Sequence, residues 1–260
     1  MAIPDLKEKK VFLFDLDGVF YKGKEKRVKL GGTEIVNALR ARGKKIYVLT
    51  NNSTDTVAKL ASNLRAFDIP VRRDEILTST LLTARFLSKK YGRASYFLVG
   101  ETGMDRELQR HGHRRVEGLK ADVVAIGLDR FLTYEKLDHA TRVGNNGADL
   151  VASHAAKVYM SGEGAALGPG ATVKALEFST GKRAVSIGKP SPLMFKLALE
   201  MAGYRPQDAV MAGDQLDTDV AGAAKAGIDS VLVLTGVDRS TMGSTAMGAV
   251  RNVDELTKYV

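Results

Sequence analysis

The chain has no cysteine in 260 residues. Disulfides are excluded, and so is any metal site built on thiolates. The redox compartment stays open, although a reducing cytoplasm fits. No uninterrupted apolar run is long enough to span a bilayer. The start, Met1-Ala2-Ile3-Pro4-Asp5, leads into charge rather than an apolar core, so no secretory leader is expected. Tandem repeats and low-complexity segments are also missing. What is present fits a globular chain: 44% hydrophobic and 27% charged residues, with length for one large or two modest domains. Lysine and arginine number 39 against 30 acids, a net charge of +9. The excess falls in small groups, Lys7 to Lys10, Lys22 to Lys29, Arg72-Arg73 and Arg114-Arg115. No nucleic-acid module motif accompanies them. They read as a soluble surface that steers anionic small molecules, with neither nucleic acid nor membrane as partner.

Strand-like apolar runs alternate with helix-like periodic segments. Strands are predicted at Val11–Phe14, Lys45–Thr50, Ala209–Ala212 and Ser230–Leu234. Helices are predicted around 32–42, 54–67, 192–202 and 218–226, with Leu60 and Leu64 sharing one face. This rhythm argues for an α/β fold with a doubly wound parallel sheet. The middle repeats the theme, with strands at Tyr96–Val99, Val123–Ile126 and Asp149–Ala152 and helices at 104–110 and 133–143. Two sheet systems suggest a core, residues 1–80 and 184–260, split by an inserted α/β domain, residues 81–183. Glycine-rich punctuation from Gly162 to Gly170 precedes the return. Thr241–Val250 is rich in small residues and reads as a loop before a short last helix.

The pentad Asp15-Leu16-Asp17-Gly18-Val19 stands directly behind the buried-strand run Val11-Phe12-Leu13-Phe14. Side chains alternate along a strand, so Asp15 and Asp17 are expected on the same side. Their place is the carboxyl end of a strand, where open α/β sheets bind ligands. Three other segments bring polar groups to such ends: Thr50-Asn51-Asn52, Gly188-Lys189-Pro190, and Gly213-Asp214 with Asp217 and Asp219 behind it. Unit charges about 4 Å apart repel by about 4 kcal/mol at an effective dielectric of 20. Asp15, Asp17 and Asp214 cannot all stay ionised together without a cation. Carboxylate oxygens without competing histidine or cysteine point to Mg²⁺. Lys189 and Thr50 supply positive charge and a hydrogen bond for a phosphate. Phosphate-monoester hydrolysis needs accelerations of up to ~10²¹, which positioning, charge neutralisation and a covalent step can supply together.

These four segments, in this order, resemble the motifs of the haloacid-dehalogenase-like (HAD) phosphatases. Thr50-Asn51-Asn52-Ser53, Gly168-Pro169-Gly170 and Gly188-Lys189-Pro190-Ser191-Pro192 resemble the NagD-like, p-nitrophenyl phosphatase subfamily. The resemblance implies a Rossmann-like core with an inserted α/β cap over the sheet edge. It implies a Mg²⁺-dependent phosphatase for small phosphorylated metabolites, and cap-mediated homodimers occur among relatives. Asp15 would be the nucleophile that forms an aspartyl-phosphate. Asp17 would be the acid that protonates the leaving group and then the base that activates water. Thr50 and Asn51 would hold phosphoryl oxygens, and Lys189 would neutralise the phosphate and orient Asp15. Asp15, the backbone carbonyl of Asp17, and Asp214 would ligate Mg²⁺. Asp219 would be a partner of Lys189 or of a metal-bound water. Donating a proton near neutrality requires a raised pKa at Asp17, for which partial burial and the neighbouring Asp15 are expected.

The family's cap segment Ala-Thr-Asn-x-Asp is replaced by Ala152-Ser153-His154-Ala155-Ala156. His154 is thus a specificity candidate, against a surface or packing role. Asp217 is either part of the acidic cluster or a dipole-complementing acid at a helix start. His111 and His113 are expected to do nothing catalytic, and His139 is expected on an exposed helix face. The spacing Gly162-Glu163-Gly164…Gly168 does not fit a dinucleotide fingerprint. Within the same chemistry, a phosphotransferase or mutase is the rival reading. A phospho-accepting receiver-type signalling module is a more distant one, since it lacks a large insert between its Thr and Lys motifs.

Overall fold

A computed structural model describes residues 3–23, 26–161 and 164–260. Met1, Ala2, Lys24, Gly162 and Glu163 of the sequence readings lie outside the described residues. In chain order the strands are β1 (Val11–Phe14), the hairpin β2 (Tyr21–Lys22) and β3 (Val28–Lys29), β4 (Lys45–Thr50), β5 (Ile76–Thr78), β6 (Ser95–Val99), β7 (Arg114–Arg115), β8 (Val123–Ile126), β9 (Asp149–Ala152), the hairpin β10 (Val158–Ser161) and β11 (Gly164–Leu167), β12 (Val185–Ser186), β13 (Ala209–Gly213), β14 (Asp229–Val233) and β15 (Gly248–Val250). The α-helices are α1 (Thr33–Ala41), α2 (Val57–Arg65), α3 (Ser79–Tyr91), α4 (Thr102–Arg110), α5 (Tyr134–Asn145), α6 (Pro169–Thr180), α7 (Pro192–Ala202) and α8 (Ala221–Lys225). No helix among the described residues is long and apolar enough to cross a membrane.

The chain forms two compact units. One comprises Met1–Thr50, Val57–Leu77 and Lys189–Val260; the other comprises Asn51–Thr56 and Thr78–Gly188. The second unit therefore begins a few residues earlier than residue 81 and ends later than residue 183. It also takes in Asn51–Thr56, which composition did not mark.

The first unit is built on a six-stranded sheet of order β15-β14-β13-β1-β4-β5. β1 pairs in parallel with both β13 and β4, and all four of its residues are buried. Such central strands read as continuous apolar runs because both faces are covered. Phe12, Phe14 and Leu16 pack into one core with Ile35, Val36 and Leu39 of α1 and Leu60 and Leu64 of α2. Gly32, at the start of α1, has no side chain to cap it. Asp254 does so from the far end of the chain, accepting from Gly32 N and Ile35 N, both at 2.9 Å. The segment read as a loop contains β15, which pairs with β14. Gly248 and Ala249 hide that strand from a composition-based reading.

The second unit carries a five-stranded parallel sheet of order β12-β9-β8-β6-β7. Phe97, Val124, Ile126 and Leu150 pack against Val143 of α5 and Val173 and Leu176 of α6. His113 is buried; its Nδ1 accepts from Ala94 N (3.1 Å), which leaves Nε2–H to donate to Ala84 O (2.9 Å). It is a structural staple. His139 is not on an open face: it is half-buried and stacks on Phe97, with centroids 4.7 Å apart.

Candidate active site

Register decides what meets at the edge of the first sheet. Phe14 is level with Ala212 on β13 and with Val48 on β4. One rung further, Asp15 N donates to Ala212 O (2.9 Å), which seats Asp15 beside Gly213 and one step from Asp214. Thr50 ends β4 at the same edge and is buried. The strand order reverses between β1 and β13, which is the switch point where open α/β sheets bind ligands.

Lys189 lies just ahead of α7, whose start is fixed by Pro192 in the first turn and by Ser191, which accepts from Leu193 N (3.4 Å). The Lys189 ammonium is buried and donates to Asp15 Oδ1 (2.6 Å) and Asp219 Oδ1 (2.7 Å). Asp219 sits in a widened helical turn, Leu216–Val220, closed by Ala221 N donating to Leu216 O. Single turns of this π type recur at functional sites. The widening turns Asp219 inward, where its Oδ2 accepts from Asp214 N and Gln215 N, both at 3.1 Å.

Asp15, Asp214 and Asp219 offer carboxylate oxygens within 4.8 Å of one another, and all three residues are buried. With Lys189 the cluster sums to −3 + 1 = −2 if every group is charged. Burial, and then the Asp15 and Asp219 charges, push the Asp214 carboxyl up to about 8. Burial likewise raises Asp219 to about 6, against the pull of Lys189. Burial raises Asp15 too, opposed by Lys189. Burial works to lower the Lys189 pKa, but the two carboxylates outweigh it and hold the ammonium charged. The Oδ1 atom of Asp214 is buried without a hydrogen-bond partner. An uncompensated −2, hard oxygen donors and one unpaired carboxylate oxygen fit a hard divalent cation.

The third buried carboxylate differs from expectation. Asp17 is exposed rather than partly buried, because the chain turns immediately after Leu16, through Gly18 at φ +84°. Its place in the crowded trio is taken by Asp219. Asp217, in the same widened turn, is exposed. Asn51 and His154 belong to the second unit, and Asn51 Oδ1 and the His154 Cβ both crowd the position a Cβ on Gly188 would occupy. His154 is buried, and its Nδ1 accepts from Ala156 N (3.4 Å). Sequence reading missed the segment Thr235–Asp238. Val237 N donates to Asp214 Oδ2 (2.8 Å), and Gly236 lies so close to that carboxylate that a Cβ would collide with it. A Gly-x-Asp after an apolar strand was the only available signal.

Comparison with known proteins supplies the family. A profile of haloacid dehalogenase-like hydrolases matches residues 12–114, and a HAD-hydrolase-like profile matches residues 186–258. The 5'-nucleotidase YutF of Bacillus subtilis is 32% identical over 98% of this chain and 99% of its own. An acid sugar phosphatase of Staphylococcus saprophyticus is 34% identical over 89% of each chain. Among solved structures, a p-nitrophenyl phosphatase from Archaeoglobus fulgidus matches with a TM-score of 0.89 and 32% identity over 99% of this chain and 100% of that one. A 4-nitrophenylphosphatase from Thermotoga maritima matches with a TM-score of 0.88 and 31% identity over 97% and 98%. With likeness running end to end and the motif residues gathered at one sheet edge, the chain belongs to the haloacid dehalogenase-like hydrolases, in their NagD-like, p-nitrophenyl phosphatase branch.

Proposed function

We propose that this enzyme is a Mg²⁺-dependent phosphatase that hydrolyses monoesters of small phosphorylated metabolites through an aspartyl-phosphate. The observation that carries the reading is the buried cluster of Asp15, Asp214, Asp219 and Lys189 at the sheet's switch point. Asp15, Asp214 and the Asp17 carbonyl would hold Mg²⁺, which supplies charge for the phosphoryl oxygens when bound. Asp15 attacks phosphorus, and the bond from phosphorus to the ester oxygen breaks. Asp17 gives its proton to the departing oxygen, and its exposure suits a leaving group that exits toward solvent. In the second half, Asp17 takes a proton from water and the water oxygen attacks the same phosphorus. The bond to Asp15 breaks, and phosphate and a free carboxylate result. Lys189 keeps Asp15 ionised and oriented, and Asp219 fixes Lys189 from the other side. Thr50, and Asn51 after it, would hold phosphoryl oxygens.

The names of relatives suggest nucleoside 5'-monophosphates, sugar phosphates and aryl phosphates as substrates. A cytoplasmic location and homodimerisation through the inserted unit belong to the same reading. The exposed apolar side chains of Leu167 and Phe178 support the latter. The test is release of inorganic phosphate from these three substrate classes, with Mg²⁺ and with a chelator. Release that requires Mg²⁺ and needs no acceptor supports the proposal. Transfer to a sugar hydroxyl without free phosphate would replace it with a phosphotransferase.

A further inference from the structure

Asp214 is held from behind by a segment with no assigned role. β14 ends at Val233, and the chain returns past the site through Thr235-Gly236-Val237-Asp238. Asp214 Oδ2 accepts from Val237 N (2.8 Å), and the Asp214 carbonyl accepts from Asp238 N (3.0 Å). The Asp238 carboxylate answers in the other direction: its Oδ2 accepts from Leu216 N (2.7 Å), the first residue of the widened turn that carries Asp219. Thr235 Oγ1 donates to the Gly18 carbonyl (2.5 Å), next to Asp17. The two loops are thus tied reciprocally, each through an aspartate that takes the other's backbone N–H.

The tie has a chemical consequence. A carboxylate rotates easily about its last torsion. Here Oδ2 is committed to Val237 N, so Oδ1 is the atom left over, buried and unpaired. Oδ1 is therefore the oxygen that Asp214 would offer to a cation. The segment is otherwise open to solvent: Val237, tied through its N–H, is 62% exposed, and Met242 further on is 88% exposed. Beside the two backbone N–H bonds to Asp214, the Asp238 carboxylate gives the segment a side-chain bond to the Asp214–Asp219 loop.

We infer that Asp238 is a positioning residue for the divalent cation. It does not touch the ion; it holds the Val237 N–H against Asp214 and so presets the ligand. The inference rests on the reading of Asp214 as a Mg²⁺ ligand. Partners behind a metal ligand typically change affinity ~10–100-fold when removed.

The test is calorimetric titration of metal-free protein with Mg²⁺, for wild type, Asp238→Ala, Asp238→Asn and Leu256→Ala. Asp238→Ala should bind Mg²⁺ ~10-fold more weakly, with the KM for p-nitrophenyl phosphate at saturating Mg²⁺ little changed. Asp238→Asn keeps an oxygen for Leu216 N and should recover most of the affinity. Leu256→Ala, a cavity at a buried site in the same unit, should lower thermal stability and leave Mg²⁺ affinity as in wild type. Wild-type affinity in Asp238→Ala, or an equal loss in Leu256→Ala, overturns the inference. Absence of Mg²⁺ uptake by the wild type would instead sink the reading of Asp214 on which it stands.

Discussion

Both units carry a parallel sheet whose strand order reverses beside a central strand, between β1 and β13 in the first and between β6 and β8 in the second. Charged residues follow the strands at both switch points, but they are arranged differently. In the second unit Arg130 grips Glu101 with two parallel bonds, 2.7 and 2.6 Å, and Lys136 holds Asp129 at 2.6 Å. Each charge is cancelled by its own partner. In the first unit Lys189 is shared by two carboxylates and a third stands beside them, leaving −2 in a buried place when every group is ionised. Burying net charge costs a fold several kcal/mol per ion. The second sheet shows that this architecture does not require such a cost. The excess therefore distinguishes the proposed site, and the alternation of strands and helices, common to both, does not.

The strongest way to break this contrast is to remove the charge proposed to attack. Asp15→Asn should lower phosphate release by ~10³-fold or more, the scale of losing a group that works as part of a unit. Its melting temperature without metal should not fall, because one of three crowded carboxylates has been neutralised. Comparable turnover in purified Asp15→Asn would remove Asp15 as nucleophile. Lys189→Met comes next. It leaves three buried carboxylates without their only cation among the described residues, and loss of one partner from a buried ion cluster costs ~3–5 kcal/mol. Chemical denaturation would measure this. A cost below ~1 kcal/mol would mean that the cluster is not electrostatically strained.

The sequence announces the charged switch point only in part, and for physical reasons. Asp15, Thr50, Lys189 and Asp214 are legible because each follows an apolar run or precedes a helix, and both are local signals. Asp219 is legible as a residue but not as the third buried carboxylate. Its inward turn depends on one widened turn, which periodicity at 3.6 residues does not reveal. The exposure of Asp17 is the other half of that difference, set by the turn at Gly18. Thr235–Asp238 escaped notice because what it mainly gives Asp214 is backbone N–H groups, which no side-chain pattern encodes. Asn51–Thr56 looks like a continuation of the first unit. It packs with the second after Asn52 folds it into a turn, accepting from Thr54 N (3.0 Å) and Asp55 N (2.9 Å).

Acidity sharpens the comparison without mutation. The folded, metal-free protein holds Asp214 up to about 8 and Asp219 up to about 6, against 3.8 for an ordinary aspartate. The folded state therefore binds more protons than the unfolded one between these limits. This contribution to stability is fully present below about 4 and is lost as pH rises through 6 and then 8. Mg²⁺ bound there as proposed would replace those protons. Its stabilisation, read as the melting-temperature difference between Mg²⁺ and chelator, should be larger at pH 8.5 than at pH 6. A difference that shrinks with rising pH would contradict a cluster that needs a cation once it ionises.

The smallest effect is expected where the charges are already cancelled. Arg130 is half-exposed, so its pair with Glu101 is screened by water despite its two-pronged geometry. Arg130→Met should change stability by about 1 kcal/mol or less. The same substitution should leave the pH dependence of the Mg²⁺ stabilisation unchanged, since no carboxylate of the buried trio loses a partner. A loss approaching that of Lys189→Met would show that the second switch point is also strained, and the contrast in net charge would no longer separate the two sheets.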